Sequence, residues 1–145
     1  MRIVLDTNVL VRANIKIYGP ARDLLLKLAY GNHVIIISPF LLREVERVLA
    51  YPRLQKLWHL TLQDIQEHVQ FLIRVSELVH PIIGAPVIVK DPNDDPVLYT
   101  AIHGKADVLC TLDRDFYEPE VVAFCRQRGV SVLHDVELLQ RLKQI

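Results

Sequence analysis

Along the chain, short runs of β-branched and other apolar residues alternate with longer stretches whose apolar residues recur at the helical period. Residues 3–5, 34–37, 108–110 and 130–133 form the short runs, the pattern of strands buried in a sheet. Helical periodicity runs through 21–30, 39–50, 61–77, 94–104, 120–128 and 135–143. Ser38 places a hydroxyl cap before Pro39 at a first helical position, and Asn93 is placed to cap the helix expected from Asp94. Gly31, Gly104 and Gly129 stand where helices should close. Residues 81–92 carry three prolines and read as a partly extended connection. Strands alternating with helices predict an α/β fold with a mostly parallel sheet covered on both faces. Ligand sites in such sheets lie just beyond the carboxyl ends of the strands.

Composition narrows the setting. At 145 residues and 51% hydrophobic, with 5 glycines and a mean hydropathy of +0.23, the sequence predicts one ordered domain, 1–145, with no disorder. Lys+Arg 17 against Asp+Glu 17 leaves a formal charge of +0, so a nucleic-acid partner would have to be held by a local patch. Cys110 and Cys125 fit no metal or redox spacing and are expected to be buried, reduced thiols. No apolar run approaches the ~20 residues of a membrane span, and the amino terminus does not resemble a signal peptide. The expected protein is soluble and cytoplasmic.

Acids stand at the expected strand ends. Asp6 directly follows the first strand, and Asp113 and Asp115 follow the 108–110 strand in Thr111-Leu112-Asp113-Arg114-Asp115-Phe116. Each taken singly reads equally as an ordinary loop or capping acid. The helices add independent evidence. On 39–50 the apolar stripe is Leu41, Val45, Val48 and Leu49; Glu44 borders it while Glu46 points away. On 94–104 the stripe is Val97, Leu98, Ala101 and Ile102, and the helical count places Asp94 at its centre. A carboxylate aimed into a core requires a partner, because its desolvation is very unfavourable. No Lys or Arg shares that face in the first turns.

Together, Asp6-Thr7-Asn8 after the first strand, Glu44, Asp91-Pro92-Asn93-Asp94-Asp95 and Thr111 to Phe116 resemble the PIN-domain family over nearly the whole chain. The resemblance implies a three-layer α/β/α sandwich whose acids meet in one pocket, bind Mg²⁺ or Mn²⁺ and support endoribonuclease activity. Many single-domain prokaryotic members are toxin halves of toxin–antitoxin pairs, which implies an antitoxin partner. Carried over by position, the four acids fall on Asp6, Glu44, Asp94 and Asp113. Asp115 is an auxiliary ligand, Asp91 and Asp95 are neighbouring acids, and Thr7, Asn8 and Thr111 match orienting positions. Hydrolysing a phosphodiester requires an activated water and charge stabilisation, which Mg²⁺ supplies when a few carboxylates hold it. Several acids without His or Cys at metal spacing point to a hard, oxygen-loving ion; the six histidines show no paired ligand spacing.

Candidates for RNA contact are Arg43 and Arg47, on one helix ridge beside Glu44, with Arg12 and Lys16. Arg53 and Lys56 could add charge, and Tyr18, Tyr51 and Trp58 could stack on unpaired bases. A solvated basic face explains the same residues. A haloacid-dehalogenase-type enzyme would need a second Asp two residues after Asp6, where Asn8 stands, and a receiver domain would need paired acids and a later Lys. A non-catalytic PIN-like scaffold that docks RNA or protein remains the alternative, as does an RNA-processing nuclease without an antitoxin. Leu62, Ile65, Val69, Leu72 and Ile73 on 61–77 either cover the sheet or pair across a two-fold axis as a homodimer.

Overall fold

The computed structural model describes residues 1–85, 87 and 92–143. Five strands, β1 (Arg2–Leu5), β2 (Val34–Ile37), β3 (Ser76–Leu78), β4 (Val108–Cys110) and β5 (Ser131–Leu133), form one sheet in the order β3-β2-β1-β4-β5. Every pairing is parallel. Successive side chains of a strand point to opposite faces. Ile3, Val4 and Leu5, Ile35 to Ile37, and Val108 to Cys110 are nevertheless all buried. Both faces of the inner strands must therefore be covered, which makes the fold a three-layer α/β/α sandwich. The helices are α1 (Thr7–Arg12), α2 (Pro20–Ala29), α3 (Pro39–Leu49), α4 (Pro52–Trp58), α5 (Leu62–Val75), α6 (Asp95–His103), α7 (Pro119–Arg126) and α8 (Asp135–Lys143). Cys110 and Cys125 are buried free thiols, as expected. No helix among the described residues is long and apolar enough to cross a membrane.

Three elements differ from the sequence expectation. The 61–77 helix stops at Val75, because Ser76–Leu78 turns extended and pairs beside Ile35–Ile37 at the sheet edge. Pairing thus overrides a helical period that continues through the sequence. Helix α1, only six residues long, falls outside the periodic stretches of the sequence; Asp6 caps it by accepting the Thr7 amide at 2.7 Å. Helix α4 buries no residue, hence shows no stripe, and ends at His59 in the left-handed region (φ 53°).

The caps fare differently. Ser38 accepts the Leu41 amide at 3.4 Å, as its position suggests, and its hydroxyl lies 2.9 Å from that of Thr100. That buried contact ties the start of α3 to α6. Asn93 does not open α6. It lies inside a 3-10 turn (Pro92–Asp94), and Asp94, the residue before the helix, makes no side-chain cap bond.

The strand order creates a switch point. From β1 the chain moves outward to β2 and β3, whereas β4, on the other side of β1, leads outward to β5. The carboxyl ends of β1 and β4 are held side by side, with the Asp6 amide donating to the Cys110 carbonyl at 2.9 Å. A crevice opens there.

Candidate active site

Asp6 forms the floor of the crevice and is 6% exposed. Its Oδ1 accepts the Thr7 amide at 2.7 Å, and its Oδ2 accepts the Thr111 hydroxyl at 2.7 Å. The same hydroxyl accepts the Asp113 amide at 3.0 Å, so Thr111 couples the β1 acid to the β4 loop. Asn8 adds a second tie, its Oδ1 accepting the Leu112 amide at 3.3 Å. Burial pushes the Asp6 carboxyl up to about 6; the hydrogen bonds from Thr111 and Thr7 act against the rise, and the charge of Asp113 adds to it. Asp6 is thus a buried acid with a raised affinity for a proton beside the Asp113 carboxylate, an environment that a divalent ion would relieve.

The β4 loop presents the next acids. Asp113 Oδ1 accepts the Asp115 amide at 3.0 Å, capping a 3-10 turn (Arg114–Tyr117). One carboxylate oxygen from each of Asp94, Asp113 and Asp115 lies within 4.8 Å of the others, and all three residues are half-buried. Asp94 thus stands in the cleft cluster and is not the core-facing acid the helical count makes it. That place belongs to Asp95, which is 2% exposed and accepts the Val87 amide at 3.0 Å. Two physical facts explain the difference. A 3-10 turn advances about 120° per residue, so the helical count cannot be carried back past Asp95. Helix α6 is also buried at every position from Val97 to Ala101, so its apolar face has no narrow centre. Asp91 lies outside the described residues.

Glu44, near the middle of α3, lines the same cleft of about 1000 Å³ as Asp6, Asp94, Asp95 and Asp113. Both its oxygens are engaged by Arg47, Nε donating to Oε1 at 3.2 Å and Nη2 to Oε2 at 2.6 Å. Arg47 Nη1 donates in turn to the Tyr51 hydroxyl. Of the basic residues singled out for RNA, Arg12 and Arg47 line the cleft, as does Arg53. Arg43 is exposed and is not among the lining residues, and Lys16 lies 3.8 Å from Asp64 in an ion pair. Sequence reasoning missed the apolar wall, built from Val11, Phe40, Val48, Leu54 and Leu57 together with Trp58. No local signal marks that wall, whose residues come from α1, α3 and α4; Leu57 on it is 61% exposed.

The donor set suits a hard cation. Three half-buried carboxylates from two separate segments converge, with no His or Cys among them. Asp94, Asp113 and Asp115 would hold such an ion, and Asp6 and Glu44 line the same cleft as Asp94 and Asp113 without belonging to that three-acid group.

A parallel α/β/α sandwich with an acid-lined cleft at its switch point defines a class of protein, and comparison identifies the family within it. The PIN-domain profile matches residues 2–115, and the chain belongs to the PIN-domain family. In three dimensions it is similar to the crystal structure of VapBC2 from Rickettsia felis bound to a DNA fragment from their promoter. That likeness has a TM-score of 0.60 at 19% identity, covering 92% of this chain and 98% of that one, and it speaks for the fold. No curated protein matches the chain.

Proposed function

We propose that this PIN-domain protein is a divalent-metal-dependent endoribonuclease acting on single-stranded RNA, and that it is the cytoplasmic toxin of a toxin–antitoxin pair. The observation that carries the catalytic reading is the convergence of Asp94, Asp113 and Asp115, with the buried Asp6 tied to Asp113 through the Thr111 hydroxyl. Membership of the PIN-domain family supports it, and the toxin assignment rests on the resemblance to single-domain members. Bound at these acids, Mg²⁺ or Mn²⁺ supplies water activation and neutralises charge developing on the phosphoryl oxygens.

The chain's own residues do the remaining work. Thr111 fixes the Asp6 carboxylate and the Asp113 backbone through one hydroxyl, so both acids are oriented before substrate arrives. An RNA phosphate entering a cleft of carboxylates is repelled, and Arg12 and Arg53 on the lining offset that repulsion. Trp58 on the apolar wall offers a stacking surface to an unpaired base, which favours single strands over duplex.

The test is a panel of end-labelled single-stranded RNA, double-stranded RNA and single-stranded DNA, incubated with purified protein and Mg²⁺ or Mn²⁺. Single-stranded RNA should be cut to products ending in a 3′-hydroxyl and a 5′-phosphate, and Glu44→Gln should lose that activity. A wild-type protein that binds Mn²⁺ and the RNA without cutting it would instead be a scaffold. For the toxin assignment, expression alone should arrest growth, with relief by a small protein encoded next to this one.

A further inference from the structure

The Glu44–Arg47–Tyr51 chain has features that an ordinary surface ion pair lacks. The three residues follow one ridge of α3 and its carboxyl-terminal turn, so their contact is set locally. Arg47 covers both oxygens of Glu44, its remaining Nη1 bonds the Tyr51 hydroxyl, and its guanidinium carbon lies 5.4 Å from the centre of the Tyr51 ring. The guanidinium is therefore held from two sides. Yet the Arg47 side chain is 55% exposed and that of Glu44 27%, so the pair is weak enough to open. Glu44 also lines the cleft that contains Asp6, Asp94 and Asp113.

We infer that Arg47 is a placeholder cation, a positioning residue that holds the Glu44 carboxylate and competes with a divalent ion for it. The inference rests on the reading that Glu44 faces the metal. Tyr51 anchors that position: its hydroxyl and ring favour the guanidinium beside Glu44 over one free in solvent. Metal affinity is thereby set lower than the acids alone would make it, and the acids are spared part of their mutual charge repulsion.

Calorimetric titration of the full chain with Mn²⁺ tests this. Removing the competing charge in Arg47→Gln should tighten Mn²⁺ binding by about three- to tenfold. Arg47→Lys keeps the charge but loses the fork and should stay within about twofold of wild type. Tyr51→Phe, which keeps the ring, should tighten binding by a smaller factor. The rise in melting temperature on adding Mn²⁺ should follow the same order, a second readout independent of catalysis. Glu44→Gln separates the two ways of failing. If it weakens Mn²⁺ binding while Arg47→Gln leaves binding unchanged or weaker, the placeholder role is overturned and the metal site stands. If Glu44→Gln binds Mn²⁺ as wild type does, Glu44 is not at the metal, and the reading beneath the inference falls with it.

Discussion

Asp6 offers the sharpest energetic test, because its burial and its chemistry make opposite demands. Its carboxyl is 6% exposed and is raised from its ordinary 3.8 to about 6, chiefly by desolvation. The folded carboxyl thus takes a proton more readily than the unfolded one. Its contribution to stability is whole below about 3.8 and is lost as pH rises through about 6. The difference amounts to about 3 kcal/mol. Asp6→Asn removes the titrating group while keeping an acceptor for the Thr7 amide. The new amide nitrogen disturbs the Thr111 hydroxyl, at a cost of about 1 kcal/mol. In chelator above about pH 7, the variant should therefore be more stable by about 2 kcal/mol and melt about 4–8 °C higher.

The pH profile carries the diagnosis. The gap between variant and wild type should open as pH rises from about 4 to about 7, and it should close or reverse at the acid end. His68 works in the opposite direction: burial lowers its pKa from the ordinary 6.5, so its contribution is lost as pH falls below that value. The difference between wild type and Asp6→Asn cancels His68, which is why the comparison must be made between proteins rather than within one profile. Thermal melts by circular dichroism suffice. A gap independent of pH, or an Asp6→Asn protein less stable than wild type at every pH, would refute the desolvation argument.

Asp94→Asn should weaken Mn²⁺ binding and abolish RNA cleavage, whereas Asp95→Ala should chiefly destabilise the fold, by about 1–3 kcal/mol through loss of the buried acceptor for Val87; calorimetry and melts distinguish the two, and the reverse pattern would exchange their roles. Ser38→Ala removes the cap of α3 and its contact with Thr100 and should cost about 1 kcal/mol in denaturant unfolding. On α5, Ile65, His68 and Leu72 are buried, whereas Leu62 and Ile73 are 68% and 48% exposed and lie about 20° apart around the helix. We expect that stripe to mediate a homodimer, so light scattering should give twice the chain mass for wild type and the chain mass for Leu62→Glu.

The layers and the inner strands were legible because strands buried on both faces leave unbroken apolar runs, such as Val34 to Ile37. The place of Glu44 beside the apolar stripe was legible because the helical period holds throughout α3, and Glu44 does line the cleft. What escaped the sequence depends on contacts distant along the chain. Nothing local ends α5 at Val75; the edge of β2 does. Nothing in Asp94-Asp95 says which acid turns inward, since a tight turn, not the helical period, decides it. The Arg47 fork on Glu44 could be suspected from spacing alone, yet the apolar wall could not, because its residues come from α1, α3 and α4 and meet only in the folded cleft.

If the acids at the switch point make a metal-dependent ribonuclease, cleavage must depend on both the ion and the acids. Cleavage of one labelled single-stranded RNA by wild type and Asp113→Asn, with Mn²⁺ and then with excess chelator, tests it most directly. Wild type should cut only while the ion is present, with cutting restored when Mn²⁺ is returned, and Asp113→Asn should not cut at the same protein concentration. Cutting that persists in chelator, or that survives Asp113→Asn undiminished, would contradict it.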